Sequence, residues 1–294
     1  MRNFIETRMY DIFDDFRESL ACYNCYCELK NLRFNSNNIP DYSKPILQQF
    51  YLLRYFPAYL VEYYDIYNTI RDEKFISTPY DVLSIGAGCG LDYFGLNYAL
   101  QGEGLSVSDY VYYTGIDQID WGYRDTLDNT DCHFINRDIN ELSCLDADYN
   151  IIIFPKSIGE FTKAGFTRLE KIFRVSDFRT DRLVLISSLR ELNANTDVNR
   201  LTSIATILEE IHGFKCLDDK KAYTHYRENA GLRTYFSDFI YPDEILSYIK
   251  SLSFRCPVRM GNGGVSCENE CLAMNRSPIL RTSHIKYQIL KLQR

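Results

Sequence analysis

The sequence predicts an α/β fold: a doubly wound, mostly parallel sheet with a helical cap at the N-terminus and an antiparallel strand at one edge. Three observations carry that expectation. Short apolar runs between residues 81 and 187 alternate with helix-length segments, the pattern of βαβ units. The first run opens directly into a glycine loop, Gly86-Ala87-Gly88-Cys89-Gly90. Ahead of it the apolar residues follow a helical spacing instead.

Taken in order, Ile5, Met9, Ile12, Phe13, Phe16 and Leu20 recur at intervals of three and four, an amphipathic stripe. Asn35-Ser36-Asn37-Asn38-Ile39-Pro40 reads as a loop. Over residues 46–67, eight of 22 residues are aromatic, and Pro57 is expected to end or kink the helix. That density reads first as packing between helices and sheet. Arg54, Tyr55, Tyr59 and Tyr63 also have the spacing to close over a planar ligand or dock a protein partner. Strands are expected at 81–85, 110–116, 132–135, 150–154 and 182–187, with helices at 91–100 and 166–173 between them. Two more helices are expected at 201–211 and 243–252. Segments 270–275 and 285–292 are expected to pair as an antiparallel edge. With no repeat and no long linker, the chain divides into a helical cap, 1–78, and one α/β domain, 79–294.

Composition narrows the class. The chain has 294 residues, 46% hydrophobic and 25% charged, the proportions of an ordinary globular protein and not of a disordered one. Apolar runs such as Ile151-Ile152-Ile153-Phe154 fall far short of the roughly 20 residues of a membrane helix. Arg2, Glu6 and Arg8 break any signal-peptide core, so a cytoplasmic protein is expected. A net charge of -7 argues against nonspecific nucleic-acid binding. Arg276, Arg281, Lys286, Lys291 and Arg294 make the C-terminus locally basic, which reads as solvated surface. The ten cysteines are expected to be thiols. Cys22, Cys25 and Cys27, with Cys267 and Cys271 as a distant pair, lack the spacing of zinc knuckles, so no metal is expected.

The glycine loop carries the chemistry. Glycines let a strand turn sharply into a helix and let a ligand approach the backbone. The spacing Gly86-x-Gly88-x-Gly90 differs from the Gly-x-Gly-x-x-Gly of dinucleotide sites, and no Gly-Lys-Ser/Thr follows. Asp92 stands at the start of the next helix, where a carboxylate repels pyrophosphate but pairs with an ammonium or sulfonium ion.

Together with the strand before it, this loop resembles the first motif of the class I S-adenosylmethionine-dependent methyltransferases, whose fold is Rossmann-like. The resemblance covers residues 80–190 in order. It implies S-adenosyl-L-methionine as cofactor, with Gly86, Ala87, Gly88 and Gly90 around its amino-acid end. It further implies Asp117 on the ribose hydroxyls, Asp138 on the adenine amino group with Ile139 beside the ring, and Phe154-Pro155-Lys156-Ser157 facing the reacting methyl. Two positions depart from the pattern. Ser84 stands where the family has an acid, with Asp92 as its replacement or as a helix cap. The fourth motif lacks the Asn/Asp-Pro-Pro-aromatic form, which argues against methylation of base amino groups.

Candidate catalytic residues are then Lys156, Ser157 and Glu160: Glu160 to take a proton, Lys156 to orient an anionic acceptor. His133, inside a strand, reads as structural. The expected function is methyl transfer to a small molecule or a protein ahead of nucleic acid. One alternative is a methyltransferase-like binding or regulatory subunit without turnover. Another is a nicotinamide-dependent oxidoreductase, disfavoured by the glycine spacing and the lack of a Tyr-x-x-x-Lys. The N-terminal helices carry enough apolar surface to dimerise or to dock a partner.

Overall fold

The computed structural model describes residues 2–21, 25–32, 40–124, 131–145, 148–234, 240–257, 260 and 269–294. The helices in chain order are α1 (Arg2–Leu20), α2 (Cys25–Glu28), α3 (Pro45–Glu73), α4 (Leu91–Gln101), α5 (Val107–Tyr110), α6 (Lys163–Val175), α7 (Ala194–His212), α8 (Asp243–Lys250) and α9 (Leu252–Arg255). The strands are β1 (Tyr80–Ile85), β2 (Val111–Asp117), β3 (Asp131–Asn136), β4 (Ile151–Pro155), β5 (Arg182–Ser188), β6 (Lys215–Cys216), β7 (Thr224–His225) and β8 (Lys286–Gln293). No helix among the described residues is long and apolar enough to cross a membrane.

The chain forms two units: Met1–Ala58 with Asn229–Thr282, and Tyr59–Glu228 with Ser283–Arg294. They do not follow the division at 78/79, because the break falls inside α3 and a late segment joins the N-terminal residues. Nor does Pro57 end its helix. It removes one N–H from the ladder, but Phe56, Ala58, Leu60 and Val61 around it are all buried, and that burial holds α3 helical through the gap.

In the first unit the predicted stripe of α1 is the core face: Ile5, Met9, Ile12, Phe13, Phe16 and Leu20 are all buried. Phe16 stacks on Phe50 at 5.7 Å and Phe13 meets Tyr248 edge-on at 5.1 Å. The late segment is tied in by backbone groups: Tyr241 Oη donates to Leu53 O (2.7 Å) and Ile279 N to Arg54 O (2.9 Å). Arg54 and Tyr55 are buried here, so packing accounts for both. The strand expected at 270–275 is instead a 3-10 run, Asn269–Asn275. The Asn275 carboxamide accepts from Ser253 N (2.8 Å) and donates to Ser253 Oγ (2.8 Å), a local alternative to strand pairing.

The second unit holds the sheet, in the order β3-β2-β1-β4-β5-β8-β6, with β7 also on β8. β1 to β5 are parallel, and β8 runs antiparallel to β5. The antiparallel strand is therefore interior, not an edge: the two-residue strands β6 and β7 cover its far side. Leu83, Ile85, Ile152 and Phe154 of the sheet pack with Leu169 and Phe173 of α6 and Leu201 and Ile204 of α7. On the other helical layer α4 crosses α3 so closely that a Cβ at Gly95 would meet Tyr63 backbone at 2.8 Å. The winding proceeds one way from β1 to β3 and the other way from β4 to β5. The reversal lies between β1 and β4, at whose carboxyl ends α/β sheets bind ligands.

Candidate functional site at the carboxyl ends of the strands

The loop after β1 is glycine-dependent in its backbone. Gly86, Gly88 and Gly90 have φ of 76°, 57° and 80°, a region that disfavours side chains. Space is equally restrictive: a Cβ on Gly86 would collide with Ser157, and one on Gly90 would lie 2.7 Å from the Phe134 ring. Gly86 N and Ala87 N donate to Ile116 O at 2.7 and 3.1 Å, fastening the loop to β2, and Ala87 is buried. Asp117, at the end of β2, accepts from Gly88 N through Oδ2 (2.9 Å) and from Ile119 N through Oδ1 (2.8 Å). Burial pushes its pKa up, while those N–H groups, Arg124 and Trp121 act against that shift.

Two residues of this corner carried no motif signal. Arg124 donates to Gly88 O and Ile119 O, both at 2.9 Å, and lies 5.2 Å from the Phe134 ring centre. Trp121, the one tryptophan of the chain, is 8% exposed and lies over Gly88. A single tryptophan just beyond the strand-end acid was the available clue; Arg124 had none.

The loop after β4 sorts the three catalytic candidates. Lys156 sits at φ 60°, a left-handed conformation that costs a non-glycine residue about 1–2 kcal/mol. Its Nζ donates to Glu62 Oε2 and to Leu189 O, both at 2.8 Å, and lies 5.0 Å from the Tyr59 ring centre. Glu62 is fully buried and also accepts from Ser188 Oγ and, at 3.4 Å, from Lys286 N. Burial raises the Glu62 pKa and Lys156 pulls it back down. Lys156 is thus spent inside the protein and does not present its charge to an acceptor. Ser157 is spent as well: its Oγ donates to Ile85 O, joining this loop to the end of β1.

Glu160 differs from both. Its backbone N donates to Ser157 O (2.8 Å), but among the described residues its carboxyl has no hydrogen bond or ion pair. Its pKa is pushed up to about 7, chiefly by burial, with the Asp117 and Asp197 charges adding to the rise and Arg190 opposing it. The loop beneath it is held on every side. Arg200 Nη1 donates to Ile158 O (2.7 Å), and Gly159 packs where a Cβ would strike the Arg190–Asp197 pair. That pair is bonded at 2.8 Å from both Arg190 N and Nη2.

The remaining expected residues divide. Asp92 is fully buried in the first turn of α4, accepting from Tyr113 Oη at 3.1 and 3.0 Å. Burial pushes its pKa up to about 6, opposed by Ser84, which acts without a regular hydrogen bond of its own, and by Tyr113. Asp92 thus stands as a buried carboxyl beside Ser84 and Tyr113. Asp138 accepts from Asn140 N (2.9 Å) as the N-cap of a 3-10 turn. Ile139 and Phe154 bury their side chains in the core cluster, so any contact from them is through backbone; Pro155 is half-buried. His133 is exposed on the outer strand β3 and is not a structural core residue.

Charges at the C-terminus are mostly tied locally: Lys291 pairs with Glu73 (3.1 Å) and Asp218 (3.3 Å), and Arg294 donates to His212 O (3.0 Å). Of the two cysteine clusters, Cys27 is an exposed thiol and Cys271 a buried one. Cys22, Cys267 and the side chain of Cys25 lie outside the described residues.

No family model and no curated protein matches the sequence. Solved structures do. The plantazolicin methyltransferase BpumL, in complex with SAH, is similar at 14% identity over 96% of this chain and 98% of its own, with a TM-score of 0.42. The plantazolicin methyltransferase BamL is 12% identical over 96% and 99%, TM-score 0.39. The YcgJ protein of Bacillus subtilis is 13% identical over 78% and 98%, TM-score 0.37. At such identities the site is read from its own residues. The strand order, the glycine loop leaving β1 and the antiparallel β8 beside β5 give the chain the Rossmann-like fold of the class I methyltransferases.

Proposed function

We propose that this chain binds S-adenosyl-L-methionine at the β1/β4 switch point and transfers its methyl group to an acceptor. One observation carries the reading. The acid at the end of β2 is bonded across to the middle glycine of the loop after β1, so the two elements expected to share a nucleoside are locked together. The residues present fit such a group. Asp117 accepts from Gly88 N, Ile119 N and the Trp121 side chain, and a carboxylate has about four acceptor sites in all, which leaves one for a ribose hydroxyl. No Cβ stands on Gly88, the position covered by Trp121, and the Trp121 ring offers a flat apolar face there. The buried Asp92 carboxyl beside Ser84 places negative charge beneath the loop, suited to an ammonium group.

The cofactor, when bound, supplies a methyl on a sulfonium that is displaced in line by a lone pair, with the C–S electron pair returning to sulfur. The chain's contribution is alignment. Asp117 and the glycine loop fix the nucleoside, and the Lys156–Glu62 pair and the Ser157–Ile85 bond fix the loop after β4 against it. The test is calorimetric titration of S-adenosylmethionine and S-adenosylhomocysteine into wild type and Asp117→Ala, with thermal unfolding to show both are folded. Micromolar affinity, on the order of −8 kcal/mol, is expected for wild type.

A further inference from the structure

Resting on that reading, we propose that Trp121 is a built-in competitor for the ribose: its indole N–H holds the position on Asp117 that the cofactor's second hydroxyl takes over. A count of donors leads there. A carboxylate has about four acceptor sites, and Gly88 N, Ile119 N and the Trp121 side chain each occupy one on Asp117. A ribose diol brings two hydroxyls to the single site left. One of the three donors must yield before both hydroxyls can bind.

The fold decides which one. Arg124 donates to Gly88 O and to Ile119 O, both at 2.9 Å, so one guanidinium clamps the two residues whose N–H groups reach Asp117. Asp117 is held by its own backbone as well, its carbonyl accepting from Arg137 N at 2.9 Å. The third donor is a side chain, and it alone can turn without moving backbone. Trp121 Cε2, the ring carbon bonded to Nε1, lies 3.8 Å from where a Cβ of Gly88 would stand, and Cζ2 lies 4.0 Å away. The N–H edge of the indole is thus the edge against the Gly88–Asp117 bond. The torsion about Cβ–Cγ of a tryptophan is broad and two-fold, so a rotation there carries Nε1 off the carboxylate. Trp121 is 8% exposed, and a buried indole N–H needs a partner, so giving up Asp117 opposes cofactor binding. A ligand with one hydroxyl takes the open position and leaves the indole where it is.

The test compares S-adenosylhomocysteine with its 2′-deoxy and 3′-deoxy analogues, each titrated by calorimetry into the full chain and into Trp121→Phe. Thermal unfolding shows that both proteins are folded. In wild type the indole stays bonded when a hydroxyl is missing, so losing one should weaken binding by no more than about threefold. Trp121→Phe keeps an aromatic ring without an N–H, and there the same loss should weaken binding on the order of tenfold. A second readout needs no variant. The one tryptophan gives isotope-labelled wild type a single indole N–H resonance, which should move upfield with S-adenosylhomocysteine relative to either deoxy analogue as it leaves the carboxylate. Equal losses in wild type and folded Trp121→Phe, or an indole resonance that is the same with all three ligands, overturn the proposal and leave the cofactor assignment standing. If S-adenosylhomocysteine binds neither protein, the cofactor reading itself falls, and this inference with it.

Discussion

Lys156 and Glu160 stand four residues apart on one loop, and as residue types they have equal claim to the chemistry. The fold treats them oppositely. Lys156 is bonded to a buried carboxylate and a carbonyl, whereas the Glu160 carboxyl has no hydrogen bond or ion pair among the described residues and feels Asp117, Asp197 and Arg190 only as nearby charges. Burial raises the pKa of both carboxyls involved, Glu62 and Glu160; a lysine bonded directly to Glu62 draws it back, whereas Glu160 has only the charge of Arg190, itself bonded to Asp197, acting against the rise. A matched buried charge is structure. An unmatched one on a rigid loop is a strained group, and strain of that kind is tolerated where function needs it.

The largest effect should come from breaking the matched side. Glu62→Ala leaves Lys156 buried without its counter-charge and is expected to lose about 3–5 kcal/mol in denaturant unfolding. A loss below about 1 kcal/mol, the scale of a surface pair, would show that Lys156 is not held as described. Glu160→Gln should move stability the other way. The Glu160 pKa stands above its unfolded value, so its contribution is present below about pH 4.5 and is lost as pH rises through about 7. Removing the charge should therefore stabilise the protein by about 1–2 kcal/mol at pH 8, discounted for partial solvent contact, and change nothing at pH 4. Equal effects at both pH values would mean the gain is not electrostatic. The smallest effect belongs to Asp138→Ala, which removes an N-cap and should cost about 1 kcal/mol.

The same contrast marks what was legible in the sequence. The five parallel strands and the helices between them follow from apolar periodicity, and the glycine loop from its place between a strand and a helix. Asp117 was readable because a strand ended on it. Glu62 was not: an acid inside an aromatic helix gives no sign that a lysine 94 positions later will bury against it. Segment 229–282 was misplaced for a related reason. Its helices have ordinary spacing, and nothing local says that their partners are the first 58 residues. The 3-10 run at Asn269–Asn275 escaped because a single Asn side chain competes with strand pairing there. Pro57 does not end its helix because the residues on both sides of it are buried.

The account's central claim is that the corner of Gly88, Asp117 and Trp121 holds an adenosyl cofactor. Because Trp121 is the sole tryptophan and lies over Gly88, its emission reports that corner directly. S-adenosylmethionine titrated into wild type should change the Trp121 signal with micromolar saturation. In folded Asp117→Ala the midpoint should rise by on the order of tenfold to a hundredfold, as the charge-assisted contact to the ribose is lost. An unchanged signal across millimolar cofactor, in wild type shown to be folded, would contradict the claim.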